Sequence, residues 1–413
     1  MKFFFPDAHD LVDPSFNFDT EQRQFNGSRQ LAQLYAHERL DRPPYDGMLI
    51  SKAMVDGRGK SLRYSFTQVQ KLKRLGAREF LRLDRPHFTR RMETMGDCGS
   101  FSYLTEPTPP FSVDEVIEFY LDAQFDYGIS LDHVILGYDE KSKSISEAPE
   151  EWRGRFEITL QCAKEFFSKC QTRKVPFCPV GAAQGWSPQS YAVAVSELQK
   201  MGYHYIALGG MVPLKSREIL ACLEAVNEVR NPRTKLHLLG INRLEALDEF
   251  ARMGVHSFDS TSALKKAFMD DKDNYHTKSR AYTAVRVPQV GENAALKKKI
   301  LAGTVDHARA RFLEKTCMDG LKALGQNNIG LTEVLGRLRE YDILWRDGRD
   351  ETERYRETLQ DAPWRKCSCS ICRDLGVHVV IFRGADRNRS RGFHNLHVLS
   401  ENLREWTARN QPT

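Results

Sequence analysis

No stretch of this chain approaches the roughly 18 consecutive apolar residues that a bilayer-spanning helix needs, so no transmembrane segment is expected. Met1 to Phe5, followed by Pro6, Asp7 and Asp10, lacks the apolar length and cleavage site of a secretory leader; a cytoplasmic protein is the expectation. There is no glycine fingerprint for a dinucleotide and no Gly-Lys-Ser/Thr phosphate loop, which removes the commonest nucleotide-binding motifs. Cysteine is too sparse for a disulfide scaffold: of nine in 413 residues, six are scattered and three are bunched at 367, 369 and 372. An excess of charge is also nearly missing. Sixty-one basic against 55 acidic residues leave a net +6, which permits a polyanionic partner without demanding one.

What is present is a repeating pattern of short apolar run, loop and amphipathic helix. The runs are Gly47–Ser51, Ile129–Leu136, Val175–Gly181, Tyr205–Gly210, Leu236–Gly240 and Val255–Phe258. Between them, Val113, Val116, Ile117 and Tyr120 share one helical face, and Phe156, Leu160, Ala163 and Phe167 share another. Ser187-Pro188 reads as an N-cap followed by proline in the first turn. Short strands alternating with helices indicate parallel βα units. The repetition predicts an α/β fold, a (β/α)8 TIM barrel, rather than a doubly wound open sheet. Its main part is expected over 46–289, after an irregular segment 1–45 with one helix near 27–38. Ala281–Val287 and Val379–Phe382 compete as the eighth strand. Residues 290–360 read as a helical insertion, with helices near 294–323 and 330–344, and 345–361 as an exposed mixed-charge segment. Residues 361–413 read as a zinc-binding subdomain and C-terminal helix.

Cys367-x-Cys369-x-x-Cys372 sets three thiolates in six residues. Zinc prefers four soft or borderline ligands in a tetrahedron, and four protein ligands close the site, making it structural. His394 is the expected fourth ligand, with His378 and His397 as alternatives. An inert cluster or a redox group would be the plainer account of the same cysteines. Polar residues also gather just after the apolar runs: Asp97, Asp132, Gln184, Gly209-Gly210 and Asp259. Barrel enzymes keep their chemistry at that end of the strands, although any one of these aspartates alone would pass for a helix cap.

These segments resemble the tRNA-guanine transglycosylase superfamily. The matching parts are Asp97-Cys98-Gly99-Ser100-Phe101, Ala183-Gln184-Gly185, Ala207-Leu208-Gly209-Gly210-Met211, Leu239-Gly240, Phe258-Asp259, and Cys-x-Cys-x-x-Cys followed by His394-Asn395-Leu396. They keep the family's order from about residue 90 to 399. The resemblance implies a (β/α)8 barrel, a structural Zn2+ near the C-terminus and often a homodimer. It also implies roles: Asp259 as nucleophile and Asp97 as general acid/base. Asp132, Gln184, Gly185, Gly210, Met211, Leu239 and Phe101 would form the base pocket, and Cys367, Cys369, Cys372 and His394 would hold the metal. Such exchange needs a carboxylate to hold the sugar and a second group to move protons. The target base must be flipped out of its stack. Lys265 and Lys266 would meet flanking phosphates.

Departures from the family narrow the expectation. Thr261-Ser262-Ala263-Leu264-Lys265-Lys266 stands where the bacterial tRNA enzymes carry Thr-Arg-Ser-Gly-Arg, and no RNA-binding domain of the archaeal type follows His394. Gly209 to Leu214 resembles the archaeal form, and Lys215 lies near the place of the bacterial acidic residue. A neutral nitrile needs no carboxylate partner, so preQ0 is the expected incoming base and guanine the outgoing one. Together these features resemble the bacterial branch that inserts preQ0 into DNA within a modification system, with helper proteins as further partners. The alternatives are a transglycosylase acting on tRNA and a non-catalytic nucleic-acid-binding subunit.

Overall fold

The computed structural model describes every residue except 24–32, 58–63, 86–87, 143, 347–350 and 411–413. Eight parallel strands close into a barrel. They are β1 (Lys2–Pro6), β2 (Gly47–Ser51), β3 (Glu93–Asp97), β4 (Tyr127–Ile129), β5 (Cys178–Ala183), β6 (Tyr205–Leu208), β7 (Lys235–Leu238) and β8 (Val255–Asp259). β1 joins the two ends of the sheet, pairing Phe3 with Phe258 on one side and Phe5 with Met48 on the other.

The closing strand therefore comes from the segment expected to be irregular. The centre of β1, Phe3–Phe5, is apolar and buried on both faces, as a strand covered on both sides requires. Phe4 enters the barrel interior, where it belongs to one buried cluster with Leu49, Met95, Ile129, Val180, Ala182, Tyr205 and Ala207. Phe3 and Phe5 point the other way and stack on Phe258 and Tyr45, with ring centroids 5.2 and 5.3 Å apart. The two segments expected to compete for the eighth position pair with each other instead: Val285–Arg286 runs parallel to Ile381–Phe382. β3 was not among the apolar runs because Glu93, Thr94, Gly96 and Asp97 dilute it.

Helices follow most strands. Val113–Asp122 buries Val113, Val116, Ile117 and Tyr120, the stripe read from the sequence. Glu150–Arg173 buries Phe156, Thr159, Ala163, Phe166 and Cys170; of the expected stripe, Leu160 and Phe167 are only half-buried, and Thr159 and Phe166 beside them face the core. Pro188–Met201 begins as expected: the Ser187 hydroxyl accepts from the Ser190 N–H at 3.2 Å, and proline occupies the first turn.

The chain divides into two compact units. One is Met1–His9, Tyr45–Thr261 and Trp406–Thr413, and holds the whole barrel; the other is Asp10–Pro44 and Ser262–Glu405. The division falls at Thr261, where the sequence placed a boundary near 289. The second unit is mainly helical, with Ala294–Leu301, His307–Gly325, Leu331–Trp345, Thr352–Asp361 and the long helix that begins at Gly384. The mixed-charge segment 345–361 is helical from Thr352, while its residues 347–350 lie outside the described residues. Of the helix expected over 27–38, residues 24–32 lie outside them too, and Ala36–Arg39 is helical. In this unit Arg383 bonds both Glu21 and Glu314 at 2.6 Å, and Arg387 bonds Glu21 at 2.5 Å. Burial alone would raise the Glu21 carboxyl, but the two guanidinium groups hold it down to about 2. No helix among the described residues is long and apolar enough to cross a membrane.

Candidate functional site

The carboxyl ends of the strands gather the polar residues of the barrel unit. Asp97 is the last residue of β3 and Asp259 the last of β8. Asp132 lies three residues beyond β4, and Gln184 directly follows β5. Gly209 and Gly210 directly follow β6, and Leu239 and Gly240 follow β7. Strands β3 to β8 each deliver a short element to this end, and barrel closure gathers them there.

Asp97 lies in a turn that only glycine at 99 permits, with φ at +77°. Its Oδ1 is buried without a hydrogen-bond partner. Burial pushes the carboxyl up to about 7. The Ser51 hydroxyl and the Gly99 N–H pull it down, while the charges of Asp259 and Asp132 add to the rise. Asp97 is thus an acid poised to give up or take a proton near neutral pH, with one oxygen left open for a partner.

Asp132 is 3% exposed. Its Oδ1 accepts from the Cys98 thiol at 2.7 Å and its Oδ2 from the Gln184 amide at 2.6 Å. The Tyr103 hydroxyl donates to its backbone carbonyl at 2.9 Å. Burial raises both the Asp132 carboxyl and the Cys98 thiol, so the thiol stays protonated and donates. Gln184 in turn accepts from the Ile135 N–H at 3.3 Å. Gly210 (φ +76°) lies over this amide, and a β-carbon there would run into the Ile135 carbonyl and come within 2.9 Å of Gln184 Oε1. Gly185 and Met211 are buried beside it, Leu239 is partly exposed, and Phe101 is 52% exposed.

Asp259 is 6% exposed. Its Oδ1 meets His237 Nε2 at 3.1 Å and accepts from the Gly240 N–H at 3.0 Å. Behind it, His237 Nδ1 lies 2.5 Å from the Ser257 hydroxyl, which lies 2.5 Å from the Tyr205 hydroxyl. His237, Ser257, Tyr205 and Tyr103 were not among the residues read as functional from sequence. The available signal was polarity at inward positions of otherwise apolar strands: His237 within Lys235–Leu238, and Ser257 two residues before Asp259.

Lys265 and Lys266 sit on the helix Ser262–Met269 of the second unit, and neither forms an ion pair among the described residues. In the same unit the ligating atoms of Cys367, Cys369, Cys372 and His394 lie within 4.8 Å of one another. The three sulfurs are 3.6, 3.5 and 3.3 Å from His394 Nδ1. Tetrahedral sulfur and nitrogen ligands at ordinary metal distances stand about 3.5 Å apart, so the donor set fits a metal ion. The other ring nitrogen of His394 reaches the His276 carbonyl at 2.8 Å, which leaves Nδ1 free to ligate a metal. The Tyr275 ring stacks on the imidazole at 4.1 Å, and its hydroxyl meets Cys372 Sγ at 3.2 Å. His378 faces Asp19 at 3.3 Å, and neither it nor His397 joins the cluster.

No family model matches the chain. A DNA-guanine transglycosylase from Salmonella montevideo is 47% identical to it over 411 residues, spanning 98% of this chain and 96% of that protein. Identity at that level over nearly the full length of both, in a chain whose barrel ends in this set of carboxylates and whose other unit carries a Cys3His cluster, is decisive for kinship: the chain belongs to the DNA-guanine transglycosylase family.

Proposed function

We propose that the protein exchanges guanine in DNA for the 7-deazaguanine preQ0 through a covalent aspartyl-sugar intermediate. The observation that carries this reading is the pairing of Asp97, an acid lifted to about 7 with a buried unpartnered oxygen, with Asp259, a carboxylate tied down through one oxygen only. Asp259 attacks C1′ of the flipped-out nucleotide, and the bond from C1′ to the guanine nitrogen breaks. Asp97 gives its proton to the departing base. The incoming base loses its ring proton to Asp97, and the freed nitrogen attacks C1′ and displaces Asp259. Two inversions leave the sugar configuration unchanged, and Asp97 is reprotonated by the incoming base while its first proton leaves with guanine.

Asp132 and Gln184 suit the recognition of guanine, a carboxylate for N1–H and the 2-amino group and an amide for the carbonyl. Gly185, Gly210, Met211 and Leu239 would wall the pocket, and exposed Phe101 would stack on the base. Lys265 and Lys266 would hold phosphates. In this reading Cys367, Cys369, Cys372 and His394 bind Zn2+, which closes a structural site and supplies no reaction step.

Nucleoside mass spectrometry after incubation with preQ0 tests the proposal, with duplex DNA, denatured DNA and unmodified tRNA in parallel. A 7-deazaguanine deoxynucleoside supports it. Modified ribonucleoside in tRNA alone would retain the chemistry and overturn the substrate.

A further inference from the structure

We propose that a buried file of side chains, Tyr205–Ser257–His237, positions Asp259 and selects Oδ2 as its attacking oxygen. The inference rests on the reading of Asp259 as nucleophile and adds residues to that site.

The geometry comes from the strands. Ser257 and Asp259 are two apart on β8 and face the same way, about 6.6 Å along the strand. His237 is the register partner of Ser257 on β7, so its ring lies between the two. The imidazole spans the gap, with Nδ1 on Ser257 at 2.5 Å and Nε2 on Asp259 at 3.1 Å. Rings hold it at its edges: Phe4 at 6.0 Å and Tyr205 at 6.5 Å between centroids. His237 and Ser257 are fully buried and Tyr205 is 4% exposed, so water does not compete for these bonds.

Direction follows from the acceptor at one end. A nucleophilic Asp259 is ionised and only accepts, so His237 Nε2 carries the ring proton and donates. With a single ring proton, Nδ1 then accepts and the Ser257 hydroxyl donates to it. The Ser257 oxygen accepts from the Tyr205 hydroxyl. Burial raises the Tyr205 phenol, which keeps that proton in place. With one proton on the ring and an ionised Asp259, the file allows one imidazole tautomer. Gly240 N–H and His237 N–H both end on Oδ1. Among the described residues no hydrogen bond reaches Oδ2, which leaves its lone pairs for C1′.

His237 never touches substrate in this scheme; it acts through Asp259. The test uses the full-length protein. The 15N spectrum of the imidazole, assigned by its loss in His237→Gln, should show a proton held on Nε2. His237→Leu should lower kcat about 10- to 100-fold, the worth of a hydrogen bond to a charged group, and leave KM for the base unchanged. His237→Gln, which still offers an N–H, should recover most of that loss. Ser257→Ala should mix the tautomers and lower kcat about 5-fold. A wild-type ring protonated on Nδ1 would overturn the proposal, as would a His237→Leu protein with kcat within about 2-fold of the parent. Asp259→Ala separates the layers. If it still exchanges base, the nucleophile reading fails. If it is dead while His237→Leu is fully active, only the positioning role fails.

Discussion

Asp97 offers a prediction with two independent readouts. Burial and the neighbouring carboxylates lift it from 3.8 to about 7. Ionising it in place therefore costs on the order of 4 kcal/mol more than in the unfolded chain. If its proton leaves with the base, kcat/KM for guanine release should halve near pH 7 and fall about tenfold for each further pH unit. Asp97→Asn should abolish release. The same shift dictates a stability effect. A carboxyl whose folded value is raised favours folding only while protonated, so its contribution is complete below pH 3.8 and lost as pH rises through about 7. Asp97→Asn, neutral at every pH, should match the parent at pH 3.8. It should grow more stable between pH 3.8 and about 7, with on the order of 4 kcal/mol as the ceiling above that. Guanidinium titrations at several pH values read the second effect, and single-turnover guanine release reads the first. A parent rate that stays flat to pH 9, together with a variant that gains nothing at pH 8, would refute the assignment.

Other expectations follow from the core, the ion cluster and the metal ligands. Phe4→Ala should cost about 3–5 kcal/mol in denaturant titration, because Phe4 fills the barrel interior where nothing can collapse into the gap; a loss under about 1 kcal/mol would contradict that packing. Glu21→Gln should lose on the order of 2–3 kcal/mol at neutral pH, and the gap to the parent should close as pH falls from 4.5 to about 2, where the parent's own carboxyl protonates. Thermal unfolding across that range measures it. Cys369→Ser should lower metal stoichiometry and solubility together, and full metal content in a normally folded variant would remove Cys369 from the ligand set.

The sequence was most legible where the chain obeys simple periodicity. Strands β2 and β4 to β8 read as apolar runs because both of their faces are buried, and their polar successors could be named one by one. β1 escaped because its five residues run straight into a turn-rich stretch. β3 escaped because Thr94 spends its hydroxyl on Asp126 and Gly96 makes room for Tyr120, so neither looks like a strand residue. The Cys3His cluster was legible from spacing, whereas the choice among three histidines depended on where the helix from Gly384 turns its side chains. The file behind Asp259 was not legible. A histidine and a serine in a strand look like interruptions until the register sets one opposite the other.

The strand Lys2–Pro6 has a consequence for how the protein is made. It is the first part of the barrel to leave the ribosome, and its partner Val255–Asp259 is the last strand to follow. Until that partner emerges, a short ribbon carrying three adjacent phenylalanines stands with its edge open, the situation in which nascent chains recruit chaperones or associate with one another. Closure is the most non-local event in the barrel, so it should govern the folding rate, and Asp259, the proposed nucleophile, arrives on the very strand that completes it.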